Sequence, residues 1–336
     1  MKHSIDIISG PLDPQEIDEP QDLTAEIELR QVPVLLELHG DRLDRALVAL
    51  VPEFSRSYLQ QLIEGGRVKC NGRTTTKASV RVKVTDILEI ELHPTPQSQS
   101  FQPQSMPLDW VYEDEHLGVI NKPAGLVVHP APGHWTGTLL NGLLAHSPAS
   151  ALVPRAGIVH RLDKDTSGLM VVARTRLVMD ALVQAIAARD VSRQYLALAH
   201  RPWQGSPVLT VDAAIGRDPR NRLKMAVVDL QNASGKTAKT DVHLLAGSQQ
   251  GCFVRCHLHT GRTHQIRVHM AHIGHPLVAD SVYGGRPEHA MQRQALHAFR
   301  LAFKHPVTAQ ALEFEAQPPT DFMRLLNAFG FSYNLQ

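Results

Sequence analysis

A chain that crowds polar groups between two apolar runs has few ways to fold them. Leu169-Met170-Val171-Val172-Ala173 is an apolar run of strand length, and Ile158-Val159 leads in from the other side. Between them, His160-Arg161-Leu162-Asp163-Lys164-Asp165-Thr166-Ser167-Gly168 supplies a histidine, two carboxylates, two hydroxyls and two cations. Two strands presenting a Gly-bearing polar loop hold reactive side chains on rigid supports.

The residues by themselves leave the purpose of this loop open. Asp163 and Asp165 share a side in extended backbone but need not in a turn. They can bond loop N–H groups or pair with Arg161, Lys164 or Arg174, which is the ordinary use of loop carboxylates. Ser167 with His160 points toward a hydrolase, but Asp-Thr-Ser-Gly-Leu is not the Gly-x-Ser-x-Gly elbow. A glycosidase pair needs carboxylates about 5 Å or more apart across a sugar, and nothing in the sequence sets that separation.

The 336 residues allow two domains with a sizeable core, and 43% hydrophobic against 20% charged residues fits a soluble globular chain. The net charge of +1 hides an asymmetry. Residues 1–30 hold eight acidic and two basic side chains, so the remainder carries +7, a balance that favours a polyanionic partner. Three cysteines (Cys70, Cys252, Cys256) make no disulfide framework, and neither a signal peptide nor a membrane span is visible, so a cytoplasmic location is expected.

Residues 1–30 are expected to form an acidic, disordered tail. From 32 to 92 a small α/β domain is expected. Leu43, Ala46, Leu47 and Leu50 share one helical face, and Pro52 ends that helix. Ser55 can cap the next, which carries Tyr58, Leu59, Leu62 and Ile63 and closes at Gly65-Gly66. Asn71-Gly72 signals a hairpin, and Leu88, Ile90 and Leu92 alternate with Glu89 and Glu91 as a half-buried strand. Between Asp41 and Asp86 nine Lys/Arg face five Asp/Glu. Residues 93–106, rich in Pro, Gln and Ser, read as a linker.

The domain from 107 to 330 reads as α+β on a mixed, mainly antiparallel sheet, because strands dominate without regular βαβ units. Trp110-Val-Tyr and Leu117-Gly-Val-Ile120 read as strands. Thr136 or Thr138 can cap a helix of Leu139, Leu140, Leu143 and Leu144, and Val178, Leu182, Ala185 and Ile186 mark another. A second dense segment spans Thr260 to Pro276. Thr263 is the expected N-cap of its helix, Ile266, Met270 and Ile273 the buried face, and Gly274 with Pro276 the stop. His264 and Arg267, three apart, point together. Six histidines lie between 257 and 275, yet no two are four apart, and Cys252 and Cys256 lie on a strand-like run. No metal site is expected from this spacing.

Two resemblances sharpen these readings. Asp41-Arg-Leu-Asp44, Ser55-Arg-Ser-Tyr-Leu-Gln-Gln-Leu-Ile-Glu-Gly65 and Val68-Lys-Cys-Asn-Gly72 resemble the S4 RNA-binding module over about 34–92. The departure is Val84-Thr85-Asp86, where Gly usually precedes the Asp. His160-Arg-Leu-Asp-Lys-Asp-Thr-Ser-Gly-Leu169 resembles the signature of pseudouridine synthases of the RluA type. The likeness continues through Asn121-Lys-Pro, Tyr195, Gly261-Arg-Thr-His-Gln-Ile-Arg-Val-His269, Asp280, Val282-Tyr-Gly-Gly285, Leu296-His-Ala-Phe-Arg-Leu-Ala-Phe and His305-Pro-Val-Thr, over roughly 107–325. Here the departure is Ala279-Asp280-Ser281, where Gly-Asp-Pro is commoner.

The resemblance implies isomerisation of specific uridines to pseudouridine in large-subunit (23S) ribosomal RNA, without cofactor. It implies a catalytic set of Asp163 as nucleophile, Arg267 as the cation beside it, and Tyr195 stacked beneath the target base. Arg161 would fill the gap left by a flipped uridine, and His160, Ile266 and Arg262 would complete the substrate contacts. Arg42, Arg45, Arg56, Lys69 and Arg73, with the basic run 217–224, would grip phosphates. The partner implied is ribosomal RNA, within a large-subunit particle, met by a monomer. An RNA-binding assembly factor with an idle synthase domain and a small-substrate hydrolase are the competing readings.

Overall fold

The computed structural model describes residues 28–52, 56–92, 101–131, 134–221 and 224–333. They divide into two units, Met1–Thr95 and Pro96–Gln336. Ser55, the expected tail over 1–27, the linker over 93–100 and Arg222 of the basic run lie outside the described residues.

In the first unit, Leu43, Ala46 and Leu47 share the buried face of α1 (Leu43–Leu50), and Leu59, Leu62 and Ile63 that of α2 (Arg56–Glu64). They pack on β1 (Glu28–Pro33), β2 (Val68–Cys70), β3 (Arg73–Thr74) and β4 (Ile87–Leu92), antiparallel in the order β1-β4-β2-β3. Asn71-Gly72 closes the β2–β3 hairpin with both residues at positive φ. Strand β1 begins inside the stretch taken for acidic tail. Leu29 is exposed, so this strand follows from backbone pairing with β4 and leaves little mark in the side-chain pattern. At the Val84-Thr85-Asp86 departure, the Asp86 carboxylate accepts the Lys83 N–H and the Asn71 side-chain amide, which fixes the turn.

The second unit is built on a nine-stranded sheet. Its strands are β5 (Trp110–Glu113), β6 (Leu117–Lys122), β7 (Ser167–Ala173), β8 (Ser192–His200), β9 (Val208–Asp212), β13 (Lys239–Gly247), β14 (Gly251–Leu258), β15 (Leu296–Lys304) and β16 (Ala311–Glu315). The order is β5-β6-β7-β15-β8-β14-β13-β9, with β16 on β15. A small separate sheet joins β10 (Ile215–Arg217), β11 (Met225–Val227) and β12 (Gly235–Lys236). All pairings in the large sheet are antiparallel except β7 with β15, so the fold is the expected α+β class.

Helices cover both faces of that sheet. On one face α3 (Leu139–His146) and α5 (Gln265–His272) bury Leu139, Leu143, Ile266 and Met270 with Met170, Ala197 and Val254. On the other, α4 (Arg176–Ala188) buries Val178 and Leu182 with Leu169 and Val171, and α6 (Thr320–Ala328) buries Phe322 and Leu325 with Leu198 and Phe253. A strand covered on both faces needs apolar side chains in both directions, and every residue of β7 is buried. Thr138, not Thr136, caps α3, and Thr175 caps α4. Among the described residues no helix is long and apolar enough to cross a membrane.

Two sequence expectations need correction. The lead into the polar loop is not a strand. Pro154–Gly157 forms a 3-10 turn in which Arg155 and Ala156 sit at positive φ, and Ile158 makes a single bridge to Val172. The expected N-cap Thr263 is displaced as well. His264 takes the cap position with φ 56°, because the Gln265 side-chain oxygen accepts the Arg262 N–H and the Thr260 hydroxyl and so tightens the entry to α5.

The parallel β7–β15 seam sets the loop in place, pairing Ser167 with His297 and Gly168 with Ala298. Gly168 has φ 117°, and a Cβ there would lie 2.2 Å from the Ala298 carbonyl oxygen. Substituting Gly168→Ala is therefore expected to destabilise the second unit by more than about 3 kcal/mol, read from urea melts. A melt within about 0.5 kcal/mol of wild type, the scatter of ordinary surface changes, would show that the seam tolerates a side chain.

Candidate active site

The loop before β7 is tied down from several sides. Thr166 N–H bonds back to the Asp163 carbonyl at 3.1 Å, a turn after which Asp163 and not Asp165 lines the cleft described below. Lys122, the buried last residue of β6, donates its ammonium to the carbonyls of Pro123 (2.8 Å), Leu126 (3.0 Å) and Lys164 (3.0 Å). Burial lowers the Lys122 pKa to about 7, against the upward pull of Asp165 and Asp163. Arg293 holds the Asp165 carbonyl at 3.0 Å while its fork grips Asp321. Gln294 donates to the Thr166 hydroxyl, and His160 accepts the Val171 N–H through Nε2.

Ser167 is part of this framework. His297 reaches the Ala316 carbonyl with Nε2 at 3.0 Å, so that nitrogen carries the proton and Nδ1 accepts the Ser167 hydroxyl at 2.9 Å. Both side chains are buried in the seam, a geometry for cross-linking strands and not for attack on a substrate.

Asp163 has a different setting. Its Oδ2 accepts Arg267 Nη1 at 2.9 Å, and its side chain remains 17% exposed. Arg267 projects from α5 and is itself fixed by Asp280, which takes Nε at 2.7 Å and Nη2 at 2.9 Å. Burial works against the Arg267 charge, but the hydrogen bonds and attraction of Asp280 and Asp163 more than offset it, and its pKa is raised. Tyr283 covers the guanidinium, with its ring centroid 5.1 Å from Cζ. The Tyr283 oxygen accepts the Met225 N–H and lies 2.8 Å from His264 Nδ1. His264 Nε2 faces Asp163 Oδ1 at 3.8 Å.

These groups open into a cleft of about 680 Å³. Every residue expected at the site from sequence lines it: Asp163, Tyr195, Arg267, Arg161, His160, Ile266 and Arg262. Tyr195, on β8, is 5% exposed, and burial pushes its phenol up to about 12, so it stays protonated. Arg161 is exposed and has no ion pair among the described residues. Arg262 is half-buried and donates Nε to the Thr237 carbonyl. Burial first, then Arg193, lowers the His160 pKa to about 3, and its Nδ1 is sealed without a partner. Because Nε2 is an acceptor, His160 does not act as an acid toward substrate through that atom.

Three further residues were not assigned a role from sequence. Lys122 lies in the quoted Asn121-Lys-Pro and Asp280 in the quoted turn, so both were visible as text without a function. Arg193 gave no signal at all. It is 6% exposed, it lines the cleft, its Nε has no partner, and no carboxylate among the described residues pairs with it. Gly261 makes room for it, since a Cβ there would meet Arg193 Nη1 at 2.8 Å. In the first unit the expected cations split into two groups. Arg42 and Arg56 grip the buried Asp44 carboxylate at 2.9 and 2.8 Å, while Arg45, Lys69 and Arg73 have no ion pair among the described residues.

A family model described as RNA pseudouridylate synthase matches residues 116–272, and one described as S4 domain matches residues 41–88. The chain is 48% identical over 316 residues to a protein of Neisseria meningitidis serogroup B named Ribosomal large subunit pseudouridine synthase D, covering 90% of this chain and 82% of that one. A protein of the same name from Xanthomonas campestris pv. campestris is 46% identical over 318 residues, 89% of this chain and 92% of its own. The solved structure of Human RNA Pseudouridylate Synthase Domain Containing 4 overlaps with a TM-score of 0.51 over 66% of this chain and 93% of that chain; at 24% identity it bears on the fold alone. The 116–272 match contains Asp163, Tyr195 and Arg267 in one cleft. The chain is an enzyme that belongs to the RNA pseudouridylate synthase family and carries an S4 domain in front.

Proposed function

We propose that this enzyme isomerises uridines of large-subunit ribosomal RNA to pseudouridine, with Asp163 as nucleophile and the target base turned out into the cleft. The observation that carries the reading is the charge of that cleft. Its lining holds six arginines (Arg155, Arg161, Arg189, Arg193, Arg262, Arg267) and, among the described residues, a single carboxylate, Asp163. A polyanion enters such a surface readily, and the one carboxylate that remains is held against its partner.

The reaction breaks the N1–C1′ bond, rotates the uracil and joins C5 to C1′; the proton on C5 is lost and N1 takes one up, so the product is an isomer. Nothing is oxidised and no water is added to the product. Asp163 acts at the ribose, by attack on C1′ or by assisting a glycal route, with Arg267 holding the carboxylate in place. Tyr195, kept as a neutral phenol, offers a face for the uracil. One aromatic stack returns about 1–3 kcal/mol, comparable with the few kcal/mol that extruding a base costs. Arg161, exposed and unpaired among the described residues, is free to take the place of the flipped base. Ile266, 4% exposed, and Arg262 line the same cleft and hold the nucleotide. Arg193 meets a phosphate, which gives its buried charge the acceptor it otherwise lacks.

In the S4 domain, Arg45, Lys69 and Arg73 contact RNA phosphates, while Arg42 and Arg56 act mainly through Asp44 to join the two helices. The substrate proposed is ribosomal RNA within a large-subunit particle, bound by a monomer. The relatives' names support ribosomal RNA as the class.

Asp163→Ala or Asp163→Asn is expected to abolish product, scored by carbodiimide mapping of ribosomal RNA from cells that carry each variant as the sole copy, with RNA binding retained. Product at wild-type level from either variant would rule out the nucleophile. For Arg193→Ala, RNA affinity should fall roughly tenfold and the slope of log affinity against log salt by about one, with partial recovery in Arg193→Lys. An unchanged salt slope would remove the phosphate contact.

A further inference from the structure

We propose that Asp241, His257 and His259 hold one divalent transition-metal ion of the zinc class. The site lies on the paired strands β13 and β14 and the residue that follows β14, at the margin of the cleft that holds Asp163, and does not depend on the reaction assigned above.

His257, in β14, and His259, the residue after its end, flank the buried Leu258; the His259 N–H bonds the Lys239 carbonyl at 3.2 Å and carries the pairing one residue further, so both imidazoles leave the same face. Asp241 lies directly opposite His257 in the antiparallel register. One ligand atom from each of the three residues lies within 4.8 Å of the other two. The carboxylate is already positioned: Thr210 donates to Oδ1 at 2.7 Å, and Oδ2 lies 2.6 Å from His259 Nε2. The two rings stand 5.0 Å apart between centroids at 56°, tilted rather than stacked, so their edges can converge. All three side chains are half-buried, which leaves side-chain rotations free to open the direct Asp241–His259 contact and to close the wider separations. Ligands on a tetrahedral zinc, at bonds of about 2.0–2.1 Å, lie about 3.4 Å from one another, so the adjustment is of side-chain size.

The donor set selects the ion. Two imidazoles and a carboxylate favour Zn²⁺, Co²⁺ or Ni²⁺, whereas Mg²⁺ and Ca²⁺ prefer all-oxygen shells. Three protein ligands leave a coordination position open to water or another oxygen donor. His259 also lines the cleft, which puts that position at its margin. Sequence spacing missed the group because its ligands are split between strands. The His-x-His pair straddles the end of one strand instead of climbing a helix at four-residue intervals, and the third ligand comes from the neighbouring strand.

The test uses the full-length protein, stripped with chelator and titrated with Co²⁺ by visible absorption, then with Zn²⁺ in competition. Saturation at one equivalent is expected, unaffected by Mg²⁺. His257→Ala, His259→Ala and Asp241→Asn should each weaken it roughly tenfold or more, while His272→Ala, an imidazole outside the group, leaves it unchanged. Diethyl pyrocarbonate modification of the wild type, read by mass spectrometry, serves as the arm that needs no variant. Zn²⁺ should protect His257 and His259. Absence of a one-equivalent site, binding that survives these substitutions, or unprotected His257 and His259 would each overturn the assignment.

Discussion

The structure of the site depends on one buried ion pair. Asp280, 1% exposed, holds two nitrogens of Arg267, and the third nitrogen of the same guanidinium is left for Asp163. Taking a guanidinium out of water is costly, and removing one partner of a buried pair typically costs about 3–5 kcal/mol. A bidentate carboxylate answers that cost and also sets the plane of the fork, so Nη1 has one direction in which to point. Asp163 accepts from it while keeping part of its surface open to the cleft. The remaining loop contacts serve that alignment. Lys122 and Arg293 hold the Lys164 and Asp165 carbonyls that directly follow Asp163, and the β7–β15 seam fixes the residues after them.

The same geometry explains how much of the protein was legible in its sequence. Helices α1 to α4 and strand β7 follow from apolar spacing, because α1, α2 and α4 bury one face while α3 and β7 are buried nearly all round. Strand β1 does not, because its Leu29 points to solvent and its pairing with β4 uses backbone groups. The polar approach to the site was misjudged for a related reason. Ile158-Val159 looks like a strand, but the positive φ angles of Arg155 and Ala156 turn the chain first, and nothing in those side chains announces that conformation. His264 at φ 56° displaced Thr263 as cap through contacts of Gln265, a residue with no capping signature of its own at that place.

The site was legible in a different way. Spacing alone left Asp163, Asp165 and Ser167 undecided, and resemblance to a family singled out Asp163. The structure supplies physical grounds for separating them: Ser167 is consumed by His297, whereas Asp163 faces a cleft and a cation. Arg193 escaped notice because a strand arginine is ordinary until its burial and missing partner are visible. The Ala279-Asp280-Ser281 departure also gains a meaning. Ala279 adopts φ 60°, a region glycine enters without cost, so this chain accepts backbone strain immediately before the carboxylate that orients Arg267.

We propose that Asp280 acts on the chemistry by aiming Arg267 at Asp163. The most direct measurement is the single-turnover rate of tritium release from RNA labelled at C5 of uridine, for Asp280→Asn beside wild type, with RNA affinity and thermal melt measured on the same samples. The rate should fall roughly a hundredfold, the loss of about 2.7 kcal/mol of transition-state stabilisation, with affinity retained. A wild-type rate in folded Asp280→Asn protein would contradict it.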